Sequence, residues 1–256
     1  MEVEFNTSRS KSYKDAISSF PNVWNEDLLI MHHYLAPKAN TTIVELGAGS
    51  GFFSTVISKE IGSNGKLIVV DPSLEQMLPL INNPHFNNIE FYCETAENFV
   101  VPQNDKIDQV WSRGAFHHVK NKEKVLRELA RSAVPGAKCC ILDIFTHNSV
   151  AKFFDSYIAH ACTTGHEVSF LSRDYAQSLC KNTGWKFMEL IDIELKWEFN
   201  SKEDIGVFLG TLLSLKPEYA HSDTLAVAED ILGISQRGEL FYLNWPMTLL
   251  IAQKDY

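Results

Sequence analysis

The chain has 256 residues, 45% hydrophobic and 21% charged, with a formal net charge of −9. That length allows a sizeable buried core at ordinary globular composition. It lacks a run of about 18 uninterrupted apolar residues for a membrane span, and residues 1–14 lack the apolar stretch of a signal peptide. Acidic charge without a dense Lys/Arg block argues against nucleic acid and against an anionic membrane surface as partners. The five cysteines, Cys93, Cys139, Cys140, Cys162 and Cys180, include no C-x-x-C pair, so free thiols and a cytoplasmic location are expected.

Residues 13–17 and 26–35 read as helices, making residues 1–36 an N-terminal helical cap. From residue 40, apolar runs alternate with helical patterns, as in a parallel α/β sheet. Residues 42–46 form a β-branched run ending at Gly47, the first strand. Phe52, Phe53, Val56, Ile57 and Ile61 recur at helical spacing. After a turn at 62–65, residues 66–70 make a second strand ending at Asp71. A helix at 74–81 and strands at 89–93 and 106–112 follow. The helix at 122–133 is amphipathic, with Val125, Leu129 and Ala133 on one side. Pro135-Gly136 is expected to stop it ahead of a fifth strand at 138–145.

The last hundred residues read differently. Helices are expected at 150–163, 172–183, 201–215 and 222–232, with strands at 185–199 and 240–253. Pro246 interrupts the last strand, which suits an edge or a bulge. The expected fold is therefore α/β: a doubly wound, mostly parallel seven-stranded sheet, with a helical insertion between its last two strands. The core would comprise residues 37–200 and 236–256. The insertion, 201–235, would join the N-terminal cap over the ligand-binding edge.

The sharpest local feature is Val44-Glu45-Leu46-Gly47-Ala48-Gly49-Ser50-Gly51, between a strand and a helix. Glycines there allow a tight turn and close approach of a ligand to the backbone, and the helix behind offers its free N–H groups. Phe52 stands where a dinucleotide fingerprint needs its third glycine. Asp71, ending the second strand, is placed to accept hydrogen bonds from ribose hydroxyls, which points to an adenosine-type ligand.

Residues 44–51 resemble motif I of the class I (Rossmann-like) S-adenosylmethionine-dependent methyltransferases, and the similarity runs through residues 42–145. It includes Val70-Asp71-Pro72, Thr95-Ala96-Glu97, and Ser112-Arg113-Gly114-Ala115-Phe116-His117-His118-Val119. That last stretch is similar to the S-R-x-x-x-H-H-V signature of the small-molecule, ubiquinone-biosynthesis-like branch. The resemblance implies S-adenosylmethionine as cofactor. Gly47, Ala48 and Gly49 would pass close to its methionine moiety, with Glu45 at the edge. Asp71 would hold the ribose, Pro72 would flank the adenine, and Thr95 with Ala96 would meet the adenine edge. Ser112 and His117 would line the methionine side, under Tyr13 as a lid. The family usually has Asp where Thr95 stands, so that contact loses charge assistance unless Glu94 or Glu97 substitutes.

Candidate catalytic residues are His117, on the loop after the fourth strand, and the pair His166 and Glu167, expected to face the substrate pocket from the cap. Arg113 fits either a substrate carboxylate or an internal salt bridge. His160, Cys162, His166 and Glu167 could ligate zinc, but their spacing matches no common zinc pattern and no metal is expected. The aromatics Trp185, Phe187, Trp197, Phe199, Phe241, Tyr242 and Trp245 read as strand and core residues by default, with a few of them open to lining an apolar substrate pocket, a distinction the pattern does not make.

The expected activity is transfer of a methyl group to an O, N or C nucleophile of a small molecule, by in-line displacement at near-attack distance. Three rivals stand beside it. Phe52 disfavours a nicotinamide-dependent oxidoreductase. A base or protein amine methyltransferase would carry Asn/Asp-Pro-Pro-Tyr where this chain has Ser112-Arg113-Gly114-Ala115. A methyltransferase-like fold serving as a cyclase or regulatory module shares the same motifs.

Overall fold

A computed structural model describes residues 8–165 and 167–255. Helices α1 (Ser8–Ser19) and α2 (Asn25–Tyr34) precede β1 (Thr42–Leu46), α3 (Phe52–Ile61), β2 (Lys66–Val70), α4 (Leu74–Ile81) and β3 (Ile89–Tyr92). Next come β4 (Ile107–Arg113), α5 (Lys122–Ser132) and β5 (Ala133–Asp143). Then follow α6 (Ser149–Phe153), a π-helical turn (Phe154–Ile158), α7 (Ala159–Ala161), α8 (Arg173–Thr183) and β6 (Trp185–Ile193). The chain ends through β7 (Lys196–Phe199), α9 (Lys202–Leu212), α10 (His221–Ile231), β8 (Ile234–Arg237), β9 (Leu240–Asn244) and β10 (Met247–Lys254).

The large sheet has the order β3-β2-β1-β4-β5-β10-β6. Strands β1 to β5 pair in parallel, and β10 runs antiparallel to both β5 and β6. The central strands are apolar at nearly every position because both faces are covered. Side chains alternate between the two layers: Ile43, Leu67 and Val69 join one core cluster, Val44, Ile68 and Val70 the other. Each such side chain contributes roughly 1.5–3 kcal/mol on burial. Sequence order reverses between β1 and β4, which opens a crevice at the carboxyl ends of the strands.

The structure revises several boundaries. Helix α5 ends at Ser132, one residue early, and Pro135-Gly136 lies inside β5 rather than before it. Ile107 faces Ala133 while Gln109 faces Lys138, so a bulge absorbs the proline, which has no N–H to donate. The helix expected at 150–163 is broken by the π-helical turn. Both long terminal strands divide. Residues 185–199 become β6 and β7, residues 240–253 become β9 and β10, and Pro246 sits where the chain passes from one sheet to the other, at neither an edge nor a bulge. The short strands build a second, antiparallel sheet, β7-β9-β8. The unit inserted between β6 and β10 thus holds a sheet as well as two helices, and α1 and α2 pack against it through α9 and β7.

Candidate cofactor and acceptor cleft

One wall of the crevice is backbone. Gly47, Gly49 and Gly51 take φ of +71°, +56° and +86°, and Gly47 N donates to Val70 O at 2.8 Å. A Cβ at Gly47 would lie 2.2 Å from the Cβ of Ala115, so only hydrogen fits there. The buried Asp71 carboxylate accepts from Gly49 N at 2.9 Å and from Ser73 N at 2.8 Å. Burial pushes this carboxyl above its usual range, and the two N–H bonds draw it only partly back. Ser73 caps α4 by accepting from Gln76 N, which turns Gln76 toward the same crevice.

The other wall is made of large side chains from distant segments. The Arg113 guanidinium meets the buried Asp27 carboxylate at 2.6 Å through Nη2 and 2.7 Å through Nε. It lies 4.6 Å from the Trp24 ring centroid and 5.5 Å from that of Trp197. Trp197 Nε1 donates to the other oxygen of Asp27 at 3.3 Å, and its ring stacks on Trp245 at 4.1 Å. Of the two readings of Arg113, the internal salt bridge is the observed one. It fastens α2, β4 and β7 together. Arg9, buried on α1, donates to Cys162 Sγ at 2.9 Å and to Thr164 Oγ1 at 2.7 Å.

Together these walls line an open cleft, with Arg9, Tyr13, Gly47, Gly49, Asp71, Gln76, Arg113, His117 and His118 among its polar and backbone surfaces. Trp24, Phe154, Trp197, Leu212, Leu213 and Trp245 supply its apolar face. Phe154 enters from the π-helical turn, a local irregularity found often at functional sites. Among the buried polar atoms of the lining, Gln76 Oε1 and Trp24 Nε1 find no hydrogen-bond partner in the described residues. An acceptor and a donor so placed, with a glycine crest and a buried carboxylate, suit a polar ligand carrying hydroxyls.

Of the residues singled out from sequence, Tyr13, Gly47, Gly49, Asp71 and His117 are brought together in this cleft. Burial pushes the Tyr13 phenol far up, so it stays protonated. Three others stand behind the wall. Ala48 is buried in the core, Ser112 Oγ donates to Leu46 O at 3.1 Å, and Glu45 accepts from Ser54 Oγ at 2.5 Å. Burial raises the Glu45 carboxyl to about 7. Pro72, Thr95 and Ala96 lie outside the lining, with Thr95 exposed. Glu97 is engaged elsewhere, its Oε1 accepting from the backbone of Lys120 at 2.6 Å and of Asn121 at 3.2 Å.

Glu167 corrects an expectation. It does not face the cleft: its side chain is 80% exposed and pairs with Lys120 Nζ at 2.8 Å on the surface. The segment around it has no regular element to turn it inward. His166, its expected companion, lies outside the described residues. Among the described residues no three metal-ligating side chains converge, and no helix is long and apolar enough to cross a membrane.

Sequence reading missed Gln76, Arg9, Asp27 and Asp143. Asp143 carried a usable signal, since it ends a parallel strand at the same sheet edge as Asp71. Trp24 gave none, while Trp197 and Trp245 were among aromatics whose pocket or core place was left open, because a cleft aromatic and a core aromatic share the same pattern.

The family model described as a methyltransferase domain matches residues 37–197. The ubiquinone/menaquinone biosynthesis C-methyltransferase of Hahella chejuensis is 26% identical over 126 residues, 47% of this chain and 50% of that protein. The chain spans about half the length of the curated relatives it matches. A SAM-dependent methyltransferase from Aquifex aeolicus superposes with a TM-score of 0.54 at 21% identity, over 73% of this chain and 94% of that one. The Haemonchus contortus phosphoethanolamine N-methyltransferase 2, solved with phosphomonomethylethanolamine and S-adenosylhomocysteine, gives 0.66 at 16% identity, over 100% of this chain and 59% of that one. At such identities the solved structures speak for the fold, while the family match spans the strands that carry the glycine turn and Asp71: this chain belongs to the methyltransferase-domain family.

Proposed function

We propose that the protein binds S-adenosylmethionine in this cleft and transfers its methyl group to an O, N or C nucleophile of a small molecule. The observation that carries the reading is the buried Asp71 carboxylate, held against Gly49 N–H at the crest of a turn where Gly47 has room only for hydrogen. Asp71 and Gln76 would hold the ribose, with Gly47 and Gly49 beside the methionine moiety and Tyr13 above it. Pro72, Thr95 and Ala96, just outside the lining, are assigned to the adenine. The bound cofactor supplies an activated methyl sulfonium, so the protein's own task is to bring the nucleophile into line and exclude water.

The concave cleft with its apolar face favours a small acceptor over a macromolecule. Net charge of −9 speaks the same way against nucleic acid. Free cysteines support a reducing, cytoplasmic setting.

Calorimetric titration with S-adenosylmethionine, S-adenosylhomocysteine and NAD tests the reading. Both sulfur ligands should bind, and Asp71→Ala should weaken them by about 10- to 100-fold, as for loss of a hydrogen bond to a charged group worth about 1.5–3 kcal/mol. Binding of NAD instead, or of none of the three, overturns it.

A further inference from the structure

Trp24 stands between α1 and α2, only 3% exposed, and its ring joins the two walls of the cleft. It packs against Tyr13 at 5.8 Å and against Phe52 and Phe53 at 5.3 and 6.2 Å between ring centroids. Phe52 and Phe53 open α3, directly after the glycine turn. The Arg113 guanidinium lies 4.6 Å from the same indole. Trp24 Nε1 finds no acceptor among the described residues. By contrast, Trp185 Nε1 donates to Leu126 O at 2.9 Å and Trp197 Nε1 to Asp27 Oδ2 at 3.3 Å. Trp111 Nε1 also lacks an acceptor there, but it lies in the core and not in the lining of the cleft.

A buried donor left unmet is costly, and an acceptor on a ligand removes that cost. An indole N–H only donates, so it cannot serve an ammonium group. Its surroundings favour an anion. Helix α3 has ten residues and starts from Gly51, with no side chain capping it. The N–H groups of its first turn and its positive end are therefore open to a ligand. Gly49, two residues before that start, lines the cleft. Arg113, paired with Asp27 through Nε and Nη2, adds a cation to the same lining.

We propose that Trp24 is a specificity residue of the cofactor site: its indole N–H donates to the carboxylate of the methionine moiety, at the head of α3 and beside Arg113. The proposal rests on the methyl-transfer reading, which sets that moiety along Gly47 and Gly49. The carboxylate is the one anionic group of S-adenosylmethionine, and its oxygens only accept. The ribose hydroxyls, which donate, are matched instead by the Asp71 carboxylate and Gln76 Oε1. Ligands that share the adenosine and the sulfur but lack the carboxylate leave the indole unmet, so the cleft selects against them. The same contact would fasten the start of α2 to the start of α3, joining the N-terminal cap to the glycine crest through the ligand.

Calorimetry on the wild type and on Trp24→Phe, which keeps an aromatic ring and removes the N–H, tests this with two ligands. One is S-adenosylhomocysteine; the other is decarboxylated S-adenosylhomocysteine, which keeps the ammonium group. S-adenosylhomocysteine should bind Trp24→Phe about tenfold or more weakly, as for a lost hydrogen bond to a charged group. The decarboxylated ligand, measured by displacement where it is too weak to titrate, should change by less than about threefold. In ¹⁵N-tryptophan-labelled wild type, the indole signal that Trp24→Phe removes should move downfield with S-adenosylhomocysteine and not with the decarboxylated ligand. An equal loss for both ligands overturns the proposal and makes Trp24 a packing residue. A loss for neither overturns it too. If Trp24→Phe fails to fold, the wild type still decides, since a preference for S-adenosylhomocysteine of less than about tenfold over the decarboxylated ligand overturns the proposal. A wild type that binds neither ligand overturns the methyl-transfer reading itself, and the carboxylate contact with it.

Discussion

The two walls of the cleft are built on different principles. The cofactor wall is short-range: residues 44–51 and 70–76 supply it from two adjacent parallel strands and the turns that leave them. Its contacts are largely backbone, and its shape depends on what is missing from Gly47. The acceptor wall gathers α1, α2, the turn after β4, the π-helical turn and the inserted unit, and it is held by side chains such as the Arg113–Asp27 pair and the Trp197–Trp245 stack. A wall made of backbone tolerates little change. One made of side chains can be recomposed residue by residue.

The contrast can be broken hardest at Gly47. In Gly47→Ala, strain at positive φ and overpacking against Ala115 each cost up to ~3 kcal/mol, about 5 kcal/mol together. That is a large part of a typical stability of roughly 5–15 kcal/mol. Urea melts should show the loss, and calorimetry should find no S-adenosylhomocysteine binding.

Asp27→Asn strikes the other wall by leaving the buried Arg113 charge uncompensated, with an expected loss of about 4 kcal/mol. Replacing both partners by apolar residues, Asp27→Leu with Arg113→Met, should recover most of that stability in the same melts.

Glu45 sharpens the comparison through pH. Its folded value of about 7 stands above the ordinary 4.5, so between those limits the folded chain keeps a proton that the unfolded chain has lost. Stability should fall as pH rises from 4.5 to 7, by about 3 kcal/mol in all, and level off above. Glu45→Gln should flatten that dependence in melts taken from pH 4.5 to 8. The smallest effect belongs to Glu167→Gln, which should leave both the melting midpoint and S-adenosylhomocysteine affinity unchanged, since the Lys120 pair is on the surface.

The same contrast decides what could be read beforehand. The alternating strands and helices, the glycine turn and Asp71 were legible because each is a local pattern imposed by the backbone. The bulge at Pro135 was not, because proline reads as a stop unless the facing strand is known. Nor was β8, whose four residues between Gly233 and Gly238 are too short to show an alternation. Arg113 was ambiguous because its partner, Asp27, lies 86 positions away. Glu167 was misjudged because a chemically apt residue says nothing about which way an irregular segment turns. Long-range side-chain pairing is the information a single sequence withholds.

The inserted unit leaves the large sheet after β6 and re-enters it at β10, and Trp245 N donates to Leu195 O at 2.8 Å where the two ends pass. Departure and return therefore share one doorway, spanned by adjacent residues. A segment with abutting ends is a cassette: it can be exchanged between related chains without altering the distance the flanking strands must cover. The cofactor wall lies entirely outside that cassette, whereas Trp197, Leu212, Leu213 and Trp245 lie within it. On the proposed reading, exchanging that one continuous piece of chain would recompose the apolar face of the cleft while leaving residues 44–51 and 70–76 in place.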